Sequence, residues 1–314
     1  MNKDLLVKIK TFLPLSLGIF LVYYSFQSTS NEDKIIILNS VAKANYTFVF
    51  LSICIGILSH LSRAIRWKYL IHPLGYKLNI LYSIMSIFAG FLSNFGIPRS
   101  GEILRASIIY YYEKIPFEKS FGTIISERII DFLVLLSCII LAINISSKIK
   151  LPDSFLSSNF ILYLILFIAI AYLIFISISI KNLRIKFLIF FDGLKQGIFS
   201  IVKMENKKSF FFHTIFIWVS YFFMLYIVKF SMPETFSLGF EPIFIAFIAG
   251  TIAMIITNGG IGAYPLAIAS IISQYEVSYE IALAFGWIVW TSQTIMIVLL
   301  GSLSFIFLPI LKKK

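Results

Sequence analysis

Charge is what this chain has least of. Only 13% of its 314 residues are Asp, Glu, Lys or Arg, where a soluble globule carries about 25%. Acids are scarcer than bases, 15 against 27. With 59% hydrophobic residues and a mean hydropathy of +0.92, this excludes a water-soluble enzyme and a secreted domain. Cysteine is also rare. The two present, Cys54 and Cys138, lie inside apolar runs and form neither a disulfide framework nor a metal spacing. There is no Walker loop, no G-x-S-x-G and no H-E-x-x-H. ATP hydrolysis and a catalytic triad are therefore not expected. His72 and His213 stand alone, so no metal and no cofactor is expected either.

What remains is apolar and aromatic, with 33 Phe and 16 Tyr. The net charge of +12 does not point to nucleic acid, because Lys and Arg come in short clusters between apolar runs. The pattern predicts an all-α polytopic membrane protein, residues 1–314 forming a single transmembrane domain. Full spans are expected at 11–27, 46–67, 120–145, 159–181, 210–231 and 279–309. Behind the first run no A-x-A site follows, so it reads as a span rather than a cleaved signal. Residues 182–209 alternate apolar and basic residues and read as a cytoplasmic amphipathic connector.

Two hydrophobic blocks are interrupted. In 79–112 an arm rich in small residues meets Gly96, Pro98 and Gly101, and Arg99, Glu102 and Arg105 follow at a spacing of three. In 241–273 an apolar arm meets Asn258, Gly259, Gly260, Gly262 and Pro265. Irregular backbone at membrane depth survives only where it is packed in protein or lines a cavity. Both blocks are expected to be re-entrant or broken helical hairpins. The halves 46–145 and 210–310 then each run span, hairpin, span.

Basic residues set the orientation. With the N-terminus inside and each hairpin returning to its own side, inside segments hold nineteen Lys and Arg and outside segments five. This bias places both termini in the cytoplasm. The hairpins then enter from opposite sides, which makes the halves an inverted repeat of the kind found in transporters.

Three charged residues of the first hairpin and three of the next span, Glu127, Arg128 and Asp131, are costly at membrane depth. Each would lose about 2.5–3.5 kcal/mol facing lipid. They are expected to converge on one cavity, as a headgroup or proton site or as a buried network that pins helices together. His60, Arg63, Arg66 and Trp67 are read as interface anchors, and Tyr110, Tyr111 and Tyr112 as an aromatic belt.

The strings RAIRWKYL at 63–70, NFGIPRSGEILRAS at 94–107, SERIIDF at 126–132 and NGGIGAYPLAI at 258–268 occur in that order. Together they resemble the transmembrane, flippase-type domain of the lysylphosphatidylglycerol synthase/flippase family. Ending at Lys314, the chain is similar to stand-alone members without the aminoacyl-transferase domain. The resemblance implies lipid translocation across a bacterial or archaeal cytoplasmic membrane. Carried over, the substrate-binding positions are Arg99, Glu102, Arg105, Glu127, Arg128 and Asp131 with the tip Asn258, Gly259, Gly260, Gly262 and Pro265. No catalytic residue is assigned. The expected ligand is a lipid headgroup with an anionic phosphate, and a homo-oligomer or an envelope-enzyme partner is compatible with it. The rival readings are a non-transporting scaffold or lipid-binding accessory subunit, and less favourably a membrane transferase.

Overall fold

The computed structural model describes residues 30–97, 99–146 and 184–312, together with Phe20, Tyr23 and Gln27. The expected spans 11–27 (those three residues apart) and 159–181, and Pro98 of the first tip, lie outside the described residues. Everything regular in the described part is helical. The α-helices are α1 (Asn31–Lys43), α2 (Tyr46–Ile71), α3 (Ile80–Gly96), α4 (Ser100–Glu113), α5 (Phe117–Ile145), α6 (Arg184–Lys203), α7 (Lys207–Val228), α8 (Phe240–Ile256), α9 (Ala263–Ile272) and α10 (Tyr279–Lys312). Among the described residues four apolar helical stretches are long enough to cross a membrane: Tyr46–Leu74, Phe117–Ile145, Lys207–Ser231 and Tyr279–Leu311.

Asparagine starts two of these helices. Asn45 Oδ1 accepts from Thr47 N at 3.1 Å and Asn79 Oδ1 from Leu81 N at 2.9 Å, each satisfying one orphan amide of the first turn. Both interrupted blocks fold as helix pairs. The arms have 17 and 14 residues in the first and 17 and 10 in the second. At 1.5 Å per residue they run about 15–26 Å, less than a hydrocarbon core of about 30 Å. Helix, hairpin, helix thus occurs twice, as α2, α3–α4, α5 and as α7, α8–α9, α10.

Gly101 has a different role from the one its sequence position suggests. It lies inside α4 and does not break it. A Cβ there would come within 2.3 Å of Gly90 O, so Gly101 brings the two arms together. Helix α1, which lies outside every expected span, packs against α10 and is capped by Ser30, whose Oγ accepts from Asp33 N at 3.1 Å. The main apolar core gathers Leu225 and Val228 of α7, Ile243–Ile248 of α8, Ile268 and Ile272 of α9 and Phe285 of α10.

Helix α6 docks on α5 through glycine. Gly193 and Gly197 form a small-xxx-small stripe, and a Cβ on Gly197 would meet Lys119 O at 2.4 Å and Gly122 Cα at 2.8 Å. Because both neighbours are backbone, neither can swing aside. Gly197→Leu should cost about 1–3 kcal/mol by forcing the helices apart. A lower thermal midpoint in detergent and faster proteolysis near residue 205 are the expected results. An unchanged midpoint would mean that this crossing contributes nothing to stability.

Candidate functional site

The charged residues meet in the interior between α2, α4, α5 and α7. Glu127 is fully buried on α5, and its Oε1 accepts from Arg63 Nη1 at 2.7 Å and from Arg66 Nη2 at 2.6 Å. Its Oε2 accepts from Arg105 Nη2 at 3.1 Å. One turn on, Asp131 accepts from Arg63 Nη1 at 3.0 Å and from Arg66 Nη1 at 2.8 Å. From α7, Tyr221 Oη accepts from Arg63 Nη2 and Thr214 Oγ1 from Arg66 Nη1, both at 3.1 Å. Trp67 lies 4.4 Å beneath the Arg105 guanidinium and donates through Nε1 to Thr123 Oγ1 at 2.8 Å.

This corrects the anchor reading of Arg63, Arg66 and Trp67. Helix α2 continues to Ile71, and all three residues are buried, at most 2% exposed. A signal for this was available. Ser52, Gly56, Ser59, Arg63 and Arg66 recur every three or four residues, a stripe of small and polar groups suited to a helix interface. Removing both arginines from the inside tally still leaves seventeen against five.

Three arginines face two carboxylates here, an excess of one positive charge. Arg105 carries it least comfortably. Its Nε and Nη1 are buried without a hydrogen-bond partner among the described residues. Outside this core sits a looser pair. Arg128 Nε lies 3.2 Å from Glu102 Oε1, with side chains 39% and 22% exposed, and Arg128 Nη1 lies 3.8 Å from Asp131 Oδ2. Beside this pair is an open groove of about 280 Å³ whose surface is almost wholly apolar, lined by Phe121, Ile125, Ile129 and Phe132 and by the stems of Glu102 and Arg128.

Five of the six expected charges therefore belong to one connected set, and Arg99 does not. It precedes α4 in a left-handed conformation, φ 56°, is exposed and has no ion pair among the described residues. A residue off the helix cannot share the face of Glu102 and Arg105, so the spacing of three misleads at that position. The second tip is separate again. Gly259, Gly260 and Gly262 all have positive φ, and Asn258 is buried with Nδ2 unpartnered. Pro265 is in the first turn of α9, where its missing N–H costs no bond, and packs against Gly286 of α10. The tips touch each other where the Phe95 ring lies on Gly259. No group of three metal-ligating side chains occurs among the described residues.

The family profile described as "Lysylphosphatidylglycerol synthase TM region" matches residues 11–301. The chain belongs to this family. A second similarity is to the UPF0104 membrane protein MJ1595 of Methanocaldococcus jannaschii, 29% identical over 120 residues. That alignment covers 37% of this chain and 35% of the relative. No solved structure matches the chain. For this member of the family, a multi-pass membrane protein with a lipid-related membrane function follows from the match and the apolar helices.

Proposed function

We propose that this protein moves a lipid headgroup, that of a phospholipid, an aminoacylated lipid or a polyprenyl-linked lipid, across the cytoplasmic membrane. The observation that carries this reading is the groove. Its surface is almost wholly apolar, and the part-exposed Arg128, paired with Glu102, stands at its edge in front of a buried cluster with one surplus positive charge. A headgroup phosphate would reach the Arg128 guanidinium at that edge, while acyl tails remain against Phe and Ile side chains. Glu102 and Arg128 bind the headgroup in this reading. Arg99 and the Asn258–Gly262 tip line its onward route, between two halves that enter the membrane from opposite sides with both termini in the cytoplasm. The chain acts as a transporter and not as an enzyme.

A second reading has an observation of its own. Arg63 and Arg66 of α2 close on Glu127 and Asp131 of α5, and with Arg105 of α4 and Tyr221 and Thr214 of α7 the network ties four helices together, as expected of a lipid-binding accessory subunit that moves nothing. Reconstitution in liposomes with a headgroup-labelled lipid separates the two. Quenching by a membrane-impermeant reductant should proceed past the outer leaflet in protein-containing vesicles. A rate equal to that of protein-free vesicles would leave the accessory reading.

A further inference from the structure

Phe95 and Gly259 form the contact between the two hairpins, and the tips on either side of it are built differently. The first tip is braced. Ser100 Oγ donates to Ile97 O at 2.8 Å and also bonds Ser93, and Asn94 Oδ1 accepts from Gly101 N at 2.8 Å. The close Gly90–Gly101 approach then locks α3 to α4. The second tip has three glycines with positive φ within four residues. Such a run can change conformation without side-chain clashes. From outside the tip, Trp290 Nε1 donates to Gly259 O at 2.7 Å.

Contact at the tips is tight. A Cβ on Gly259 would lie 2.5–3.0 Å from three atoms of the Phe95 ring, so the ring occupies the space that any other residue would need. Asn258 sits beside this contact, 3% exposed, with an amide nitrogen that has no acceptor. A buried donor left unpaired is costly. Water or a phosphate oxygen reaching Asn258 would satisfy it, provided the tips moved apart.

We propose that Phe95 is an aromatic gate. It closes the route between the hairpins in the state described here, and the glycine tip swings away from the braced first tip to open it. As a regulation of the proposed transport route this rests on the transporter reading, yet it has a readout that needs no transport. Asn258→Cys in a Cys54→Ser, Cys138→Ser background would be treated with a membrane-impermeant maleimide in liposomes. Labelling should be slow with Phe95 present. With Phe95→Ala it should be faster by about three- to tenfold, the population shift that loss of one aromatic contact allows. Phe95→Leu, which keeps an apolar side chain, should fall between and serves if the alanine variant does not fold. Equal labelling rates in monodisperse Phe95 and Phe95→Leu proteins would overturn the gate.

Labelled-lipid movement by Phe95→Ala alone, in the native background, separates the two proposals. If labelling accelerates but neither protein moves lipid, the gate holds and the transport reading fails. If both proteins move lipid and label at one rate, transport holds and the gate fails.

Discussion

Glu127→Gln is expected to cost more stability than any other single change described here. Its carboxylate accepts from three arginines at 2.6, 2.7 and 3.1 Å and has no exposure to solvent. Without its charge, Arg63, Arg66 and Arg105 would share Asp131 alone. The new amide would also point N–H donors at guanidinium N–H donors. Breaking one buried pair costs about 3–5 kcal/mol, and marginal stability for a whole domain is about 5–15 kcal/mol. The variant should therefore be recovered mostly as aggregate, or unfold well below the natural protein in detergent. A second substitution tests the cause. Arg105→Met in the Glu127→Gln background removes one surplus cation and should regain part of the loss. A Glu127→Gln protein with an unchanged midpoint would show that the network is not a structural element.

Arg128→Ala is expected to have the opposite profile, with little lost stability and a large loss of lipid movement. Its side chain is 39% exposed, and it pairs with Glu102 at 3.2 Å on the groove side of the cluster. Pairs of this kind contribute about 0–1 kcal/mol. A charge-assisted contact to phosphate contributes about 1.5–3 kcal/mol. Translocation should accordingly fall by about one to two orders of magnitude at a nearly natural midpoint. Lysine distinguishes charge from geometry, because it retains the cation and loses the planar fork. Arg128→Lys should be intermediate if bidentate recognition matters. Wild-type lipid movement by Arg128→Ala would place the headgroup somewhere other than this groove.

Helices were legible in the sequence because membrane insertion imposes a demand on composition. The runs 46–67, 120–145, 210–231 and 279–309 appear as α2, α5, α7 and α10, longer at one end or both. Breaks in the two blocks were legible too, since proline and clustered glycine interrupt a helix whatever surrounds them. Gly101 misled because a glycine near a break and a glycine at a helix contact look alike in one dimension. Arg99 misled because its place on the helix face depended on a start one residue later, at Ser100. Helix α1 is not among the expected spans because its apolar run, residues 35–38, is too short to cross a membrane and its partner, α10, is more than two hundred residues away.

The candidate site was half legible. Glu102, Arg105, Glu127, Arg128 and Asp131 attract notice because charge is expensive inside an apolar block. Arg63 and Arg66 do not, because arginine at the end of a span is ordinarily solvated. Their burial follows from pairing with residues 61 to 68 positions away.

The order of residues by itself determined that this chain is a membrane protein, where most of its described helices run and where two apolar blocks break. Those properties depend on local chemistry: the hydrocarbon rejects charge, and the backbone must bond to itself. Tertiary structure alone decided which charges pair deep in the interior and which pair nearer the surface. Arg66 and Glu127 close into the interior while Arg128 and Glu102 reach the groove. The same residue types serve both ends, and only the crossing of α2, α4, α5 and α7 determines the distance between an arginine and its carboxylate.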